Sequence, residues 1–127
     1  MRTWIYLIIG SMLGGAARYV MAGRTYAALG ASFPYGTLAV NLTGCFLIGG
    51  FDALANERFV LGPHARLFLM TAFCGAFTTF STFVLETSNL MKDGEFWLAS
   101  LNVGGSVVLG LLVFRLGGLA ANLAGKP

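Results

Sequence analysis

The sequence predicts an all-α membrane protein with four transmembrane helices, the third of them broken. Three observations carry this. Of 127 residues, 57% are hydrophobic and 10% charged, where soluble domains carry about 25% charge. The apolar residues fall into runs long enough to cross a bilayer at roughly 20 residues each, which leaves room for about four spans and short connectors. The third run holds a cluster of glycine and hydroxyl residues that favours a helix break, although serine and threonine in membrane helices also bond back to their own helix.

Span one is expected from about Trp4 to Val20. Met1-Arg2-Thr3-Trp4 resembles the start of a signal peptide, but the apolar run continues to about Ala17 with no clear small-residue cleavage site. A retained first helix is therefore expected. Span two follows the breaker Phe33-Pro34 and runs from about Tyr35 to Leu54. Span three runs from about Arg66 to Leu90, and span four from about Phe96 to Leu116. Connectors are expected at Ala22 to Ser32, Asn56 to Ala65 and Met91 to Glu95, the last marked by the turn signal Lys92-Asp93-Gly94. Residues 1–127 read as a single four-span unit without linker or low-complexity tail.

Eighteen glycines are many for this length, and they are patterned. Gly10 and Gly14 on span one, and Ser106 and Gly110 on span four, have the small-xxx-small spacing that lets helix backbones approach closely in lipid. The spacing does not choose between packing within one chain and packing between chains. Four closely packed helices enclose little room, so a transport route would need an oligomer.

Net charge is +3, with the basic residues scattered singly. A nucleic-acid surface would need a basic patch; these residues mark membrane edges. An even span count places Arg2, Arg58, Arg66, Arg115 and Lys126 on one side, and Arg18, Arg24 and Lys92 on the other. Five against three is a weak bias under the positive-inside rule. Two readings follow: one topology winning by a small margin, or insertion both ways with antiparallel pairing.

Cys45 and Cys74 both lie in apolar segments and read as small buried hydrophobes. His64 stands alone beside Pro63. With no metal-ligand cluster, no nucleophile with a base and no phosphate loop, an enzyme is the least supported class.

The functional suspects are polar residues inside the membrane. The stretch Gly75-Ala76-Phe77-Thr78-Thr79-Phe80-Ser81-Thr82-Phe83 holds four hydroxyls and three phenylalanines. Gly75 and Thr78-Thr79 favour a helix break, because glycine weakens a helix and β-branched hydroxyl residues compete for its backbone bonds. Broken membrane helices expose carbonyls to a cation and amides to an anion. Asn41 has Thr37 four residues earlier on the same face, and Asn102 and Ser106 are again four apart. Interhelical glue and the lining of a route both suit Asn41. Phenyl ring edges are positive, so Phe80 and Phe83 beside hydroxyl and amide donors would suit a small anion without a fixed charge. A full charge would hold the ion too tightly for conduction. Arg18 reads as a snorkelling anchor or an electropositive mouth. Glu86, the only acid well inside a span, reads as a capped end, a proton-sensitive group or a pathway residue. Asp52 is expected at the interface.

Three stretches resemble the Fluc (CrcB) family of small fluoride channels: Gly14-Gly15-Ala16-Ala17-Arg18-Tyr19, Pro34 through Gly44, and Gly75 through Phe83. The resemblance spans essentially the whole chain, and the ending Thr-Thr-Phe-Ser-Thr-Phe is specific in a four-span context. It implies an antiparallel, dual-topology homodimer in the inner (plasma) membrane, with two pores that export cytoplasmic fluoride passively. It implies that Phe80 and Phe83 present ring edges to fluoride, and that Asn41 and Ser81 hydrogen-bond along the path with Thr37 nearby. It further implies a central structural sodium ion on the backbone carbonyls of Gly75 and Thr78. Arg18 matches the family arginine near the entrance, Ser106 a pore hydroxyl and Glu86 a common acid. Asn102 stands where some relatives carry a pore-facing tyrosine.

Two rivals can be weighed on the residues. A small drug–proton exporter needs an acid in the first span, and Trp4 to Val20 contain none. A non-transporting membrane subunit, using its glycines to pack on a partner, would pass no ion by itself.

Overall fold

A computed structural model describes residues 1–125, so Lys126, counted above, lies outside them. The chain is all-helical. Helix α1 spans Arg2–Leu29. Helix α2 spans Tyr35–Asp52 and runs on through a π-helical turn, Ala53–Glu57. The third span opens with α3 (Pro63–Arg66), passes through a π-helical stretch (Leu67–Cys74) and ends its first half as α4 (Gly75–Phe77). Helix α5 (Phe80–Lys92) completes it, and α6 spans Phe96–Ala124. Four stretches, Arg2–Leu29, Tyr35–Glu57, Pro63–Lys92 and Phe96–Ala124, are long and apolar enough to cross a membrane.

Three boundaries differ from the sequence expectation. Helix α1 continues nine residues past Val20, absorbing most of the expected connector Ala22 to Ser32. The extension is built from good helix formers, and the Thr25 hydroxyl bonds back to the Met21 carbonyl at 2.8 Å. It stops at Gly30, whose φ of +83° only glycine adopts cheaply. Helix α6 likewise runs to Ala124 rather than Leu116. The second connector shrinks from both ends, because the π turn reaches Glu57 and helix resumes at Pro63. About 20 residues suffice to cross a hydrocarbon core about 30 Å thick, and α1 and α6, at 28 and 29 residues, are longer than that.

The small-residue spacings are used inside the chain. A Cβ on Gly10 would crowd Ala72 and Phe68, and one on Gly14 would run into the Phe73 carbonyl, both on the third span. A Cβ on Gly117 would strike the Phe46 carbonyl, so α6 lies backbone to backbone against α2. Gly110 faces Cys45. The large apolar side chains instead point outward along α1, α5 and α6, as in Ile8, Met12, Val84, Leu111 and Leu112. That inside-out arrangement suits a solvent of lipid, in which close packing rather than hydrophobic burial joins helices.

The expected turn after α5 forms. Gly94 takes a φ of +78°, and the Glu95 and Gly94 amides return to the Leu90 and Met91 carbonyls at 2.8 and 3.1 Å. Two arginines that the sequence places at membrane edges close helix ends. The Arg58 guanidinium donates to the Ala121 and Gly125 carbonyls at 3.2 and 2.9 Å, and Arg66 donates to the Leu61 and Ala55 carbonyls.

Candidate functional site

At the middle of the third span the helical ladder gives way. Thr78 (φ −82°, ψ 161°) and Thr79 (φ −149°, ψ 119°) are extended. In a continuous helix the Thr79 amide would donate to the Gly75 carbonyl and the Thr82 amide to the Thr78 carbonyl. Here the Thr79 amide donates to Asn41 Oδ1 at 2.8 Å, and the Thr82 amide turns to the Thr79 hydroxyl at 3.3 Å. Asn41 Nδ2 donates in turn to the Thr79 carbonyl at 3.0 Å. The asparagine thus pairs with both backbone groups of Thr79, as a neighbouring strand would, and Thr79 becomes the N-cap of α5. The carbonyls of Gly75 and Thr78 are thereby released from their helical donors. That of Thr78 accepts a longer bond from the Arg18 guanidinium, 3.4 Å.

The break borders an open groove of about 380 Å³ whose lining includes Asn41, Gly75, Thr78, Thr79, Phe80, Phe83 and Ser106. Among the described residues, no charged side chain lines it. The Phe80 and Phe83 rings are 5.8 Å apart and tilted by 36°. Phe80 is 77% exposed, so the groove is unclosed on that side. Behind the break, a second cavity of about 590 Å³ is lined by Arg18, Tyr19, Tyr26, Thr37, Thr79, Thr82 and Glu86, among others. The Tyr26 phenol donates to Glu86 Oε1 at 2.6 Å and lies 3.4 Å from the Thr37 hydroxyl.

The residues singled out from sequence separate into three places. Phe80, Phe83, Asn41, Ser106, Gly75 and Thr78 meet at the groove, while Arg18, Thr37 and Glu86 meet at the cavity behind it. Ser81 is exposed on the first turn of α5 and lines neither. Asn102 is 2% exposed and donates to the Thr87 hydroxyl at 2.9 Å, which itself donates to the Phe83 carbonyl at 2.7 Å. It joins α6 to α5 and reaches neither space.

Three participants were not picked out as site residues. Thr79 and Thr82 were read as helix breakers and cluster members, yet their hydroxyls bond each other at 3.0 Å and line the cavity. Tyr26 fell in an expected connector. Its spacing of eight from Arg18 puts both on one helix face, a signal that becomes visible once α1 is extended.

The matching family model, described as "CrcB-like protein, Camphor Resistance (CrcB)", covers residues 5–118. The chain belongs to the CrcB family. Among its relatives is a protein of Methylocella silvestris, 48% identical over 93% of this chain and 92% of its own length. Another, of Chlorobaculum tepidum, is 49% identical over 90% of both. A third, of Geobacter sulfurreducens, is 46% identical over 95% of this chain and 98% of its own length. Each carries the name "Fluoride-specific ion channel FluC". The CrcB chain described here is thus a multi-pass membrane protein of a family of channels, not of enzymes.

Proposed function

We propose that the chain is a fluoride channel, conducting the anion passively out of the cytoplasm across the inner (plasma) membrane. The observation that carries this is the uncharged groove at the break, where the paired rings of Phe80 and Phe83 stand beside Asn41, Thr79 and Ser106. Fluoride is small and strongly hydrated. It gives up water only where many donors replace it, and neutral donors with positive ring edges do so without trapping it. The relatives' names supply the identity of the ion. Fluoride entering as neutral HF and trapped as the anion in a less acidic cytoplasm would leave by this route.

The working unit in this reading is an antiparallel, dual-topology homodimer with two pores, each lined by both copies. The groove is open and the Phe80 ring exposed, so a single chain leaves the route unwalled. The helix break serves the dimer interface in the same reading: the carbonyls of Gly75 and Thr78, freed from their helical donors, are hard oxygen ligands of the kind a sodium ion takes, and would hold one between the two copies. Arg18 draws the anion to the entrance, and Thr37 and Ser81 are assigned to the path. Asn102 is assigned to the same polar line as Ser106, although its side chain is engaged by Thr87.

The test is fluoride efflux from liposomes containing this protein alone, followed with a fluoride electrode. Rapid efflux above protein-free liposomes supports the proposal. Efflux at the protein-free rate would favour the packing subunit.

A further inference from the structure

We propose that Tyr26 is a positioning residue for the anion route, setting Glu86 at the junction between the outer mouth and the inner cavity. This deepens the fluoride-conduction reading and rests on it.

Two cavities meet at this pair. The inner one, described above, contains Arg18 and the threonine hydroxyls. The outer one, about 660 Å³, lies against the α5–α6 turn and is lined by Ser32, Asn89, Asp93 and Glu95 among others. Tyr26 and Glu86 are the two residues common to both linings. An ion moving between the spaces passes them.

The tyrosine is fixed on three sides. Its phenol donates to Glu86 Oε1 at 2.6 Å, the length of a charge-assisted hydroxyl–carboxylate bond. Its oxygen lies 3.4 Å from the Thr37 hydroxyl. Its ring packs against Gly36 at the start of α2, where an added Cβ would collide with it. Glu86 is held through one oxygen only. Oε2 is shielded from bulk solvent, and no donor among the described residues reaches it.

A carboxyl oxygen left without a donor beside an anion's path repels the anion unless it holds an O–H. With Oε1 accepting from the phenol and Oε2 turned into the protein, neither oxygen faces the anion bare, and the carboxyl holds the phenol beside the Thr37 hydroxyl at the junction. Tyr26 therefore acts through Glu86, by engaging one carboxyl oxygen and keeping the other turned away from the anion.

The experiment is fluoride efflux per reconstituted channel for the full-length wild type, Tyr26→Phe, Glu86→Ala, Glu86→Gln and the double variant Tyr26→Phe/Glu86→Ala. A conducting wild type establishes the parent reading separately from the variants. Tyr26→Phe keeps the ring on Gly36 and should lower flux roughly tenfold, the scale of a lost hydrogen bond to a charged group. Glu86→Ala should lower it at least as far. Adding Tyr26→Phe to Glu86→Ala should change nothing further, because the phenol then has no carboxyl to place. Glu86→Gln still accepts from the phenol and still offers a polar group, so it should recover most of what alanine loses. Wild-type flux in Tyr26→Phe, additive losses in the double variant, or glutamine no better than alanine would each overturn the proposal.

Discussion

Replacing Asn41 by leucine, similar in size but without polar atoms, should loosen the middle of the third span more than any other single polar deletion in the protein. The side chain makes two bonds to one backbone residue: it accepts from the Thr79 amide at 2.8 Å and donates to the Thr79 carbonyl at 3.0 Å. Hydrogen bonds between membrane helices average about 0.6 kcal/mol by double-mutant cycle, so the pair contributes at least about 1 kcal/mol. Leaving both backbone groups buried and unpaired raises the cost, at about 1–3 kcal/mol for each buried group. The expected loss is therefore about 1–6 kcal/mol, largest if the break cannot rearrange. It can rearrange in one way, by returning the Thr79 amide to the Gly75 carbonyl and straightening the helix. Either outcome changes the Thr79 amide, which amide hydrogen exchange reads residue by residue, alongside thermal unfolding in detergent. Asn102→Leu is the control. It removes one bond to a threonine hydroxyl that retains its own acceptor, and should cost about 1 kcal/mol or less with exchange at Thr79 unchanged. Asn41→Leu with wild-type stability and wild-type exchange at Thr79 would refute the clamp and the account of the break.

Three further outcomes are expected. Phe80→Ile and Phe83→Ile should each cut fluoride flux by tenfold or more, the equivalent of about 1.4 kcal/mol of lost ion stabilisation, in protein that keeps its oligomeric state by gel filtration; unchanged flux in both would leave the rings as packing. Gly117→Val should destabilise by about 1–3 kcal/mol or more through overpacking of α6 on α2, seen as a lowered unfolding temperature, whereas Gly105→Val, where no atom lies within 4 Å of the added Cβ, should not. If sodium sits on the freed carbonyls of Gly75 and Thr78, replacing sodium by a bulky organic cation should lower the unfolding temperature, by about 2.7 kcal/mol of stabilisation lost at a hundredfold excess over the dissociation constant; equal melting in both salts would speak against the ion.

Much of the architecture was legible from hydropathy and glycine spacing, because both record direct demands of the bilayer. The turn at Lys92-Asp93-Gly94 was readable for a local reason, the positive φ that Gly94 takes. Helix ends were less so. Residues 21–29 and 117–124 extend helices that already hold enough apolar residues to span, and composition there does not distinguish a continued helix from a connector. Losing that part of α1 hid Tyr26. The pairing of Asn41 with Thr79 lies across 38 residues of sequence, and no local pattern encodes it. The sequence left Asn41 between glue and route lining; the geometry shows the side chain bonded across the break to Thr79 and bordering the groove. Asn102 has the same residue type and a similar polar neighbour four positions away, yet it is buried against Thr87. What separates the two cases is the partner each faces: the extended backbone of Thr79 for Asn41, a threonine hydroxyl on α5 for Asn102. Whether the small-residue pairs serve one chain or two was likewise undecidable from spacing; Gly10 against Ala72, Gly14 against Phe73 and Gly110 against Cys45 pack within the chain, while Ser106 lines the open groove.

The central claim is that neutral donors and ring edges at an uncharged groove pass fluoride and refuse larger halides. Its most direct measurement is the reversal potential of the purified protein in a planar bilayer, with fluoride on one side and chloride on the other. The account predicts a potential close to the fluoride equilibrium value. A potential near zero, with both anions carrying current equally, would contradict it.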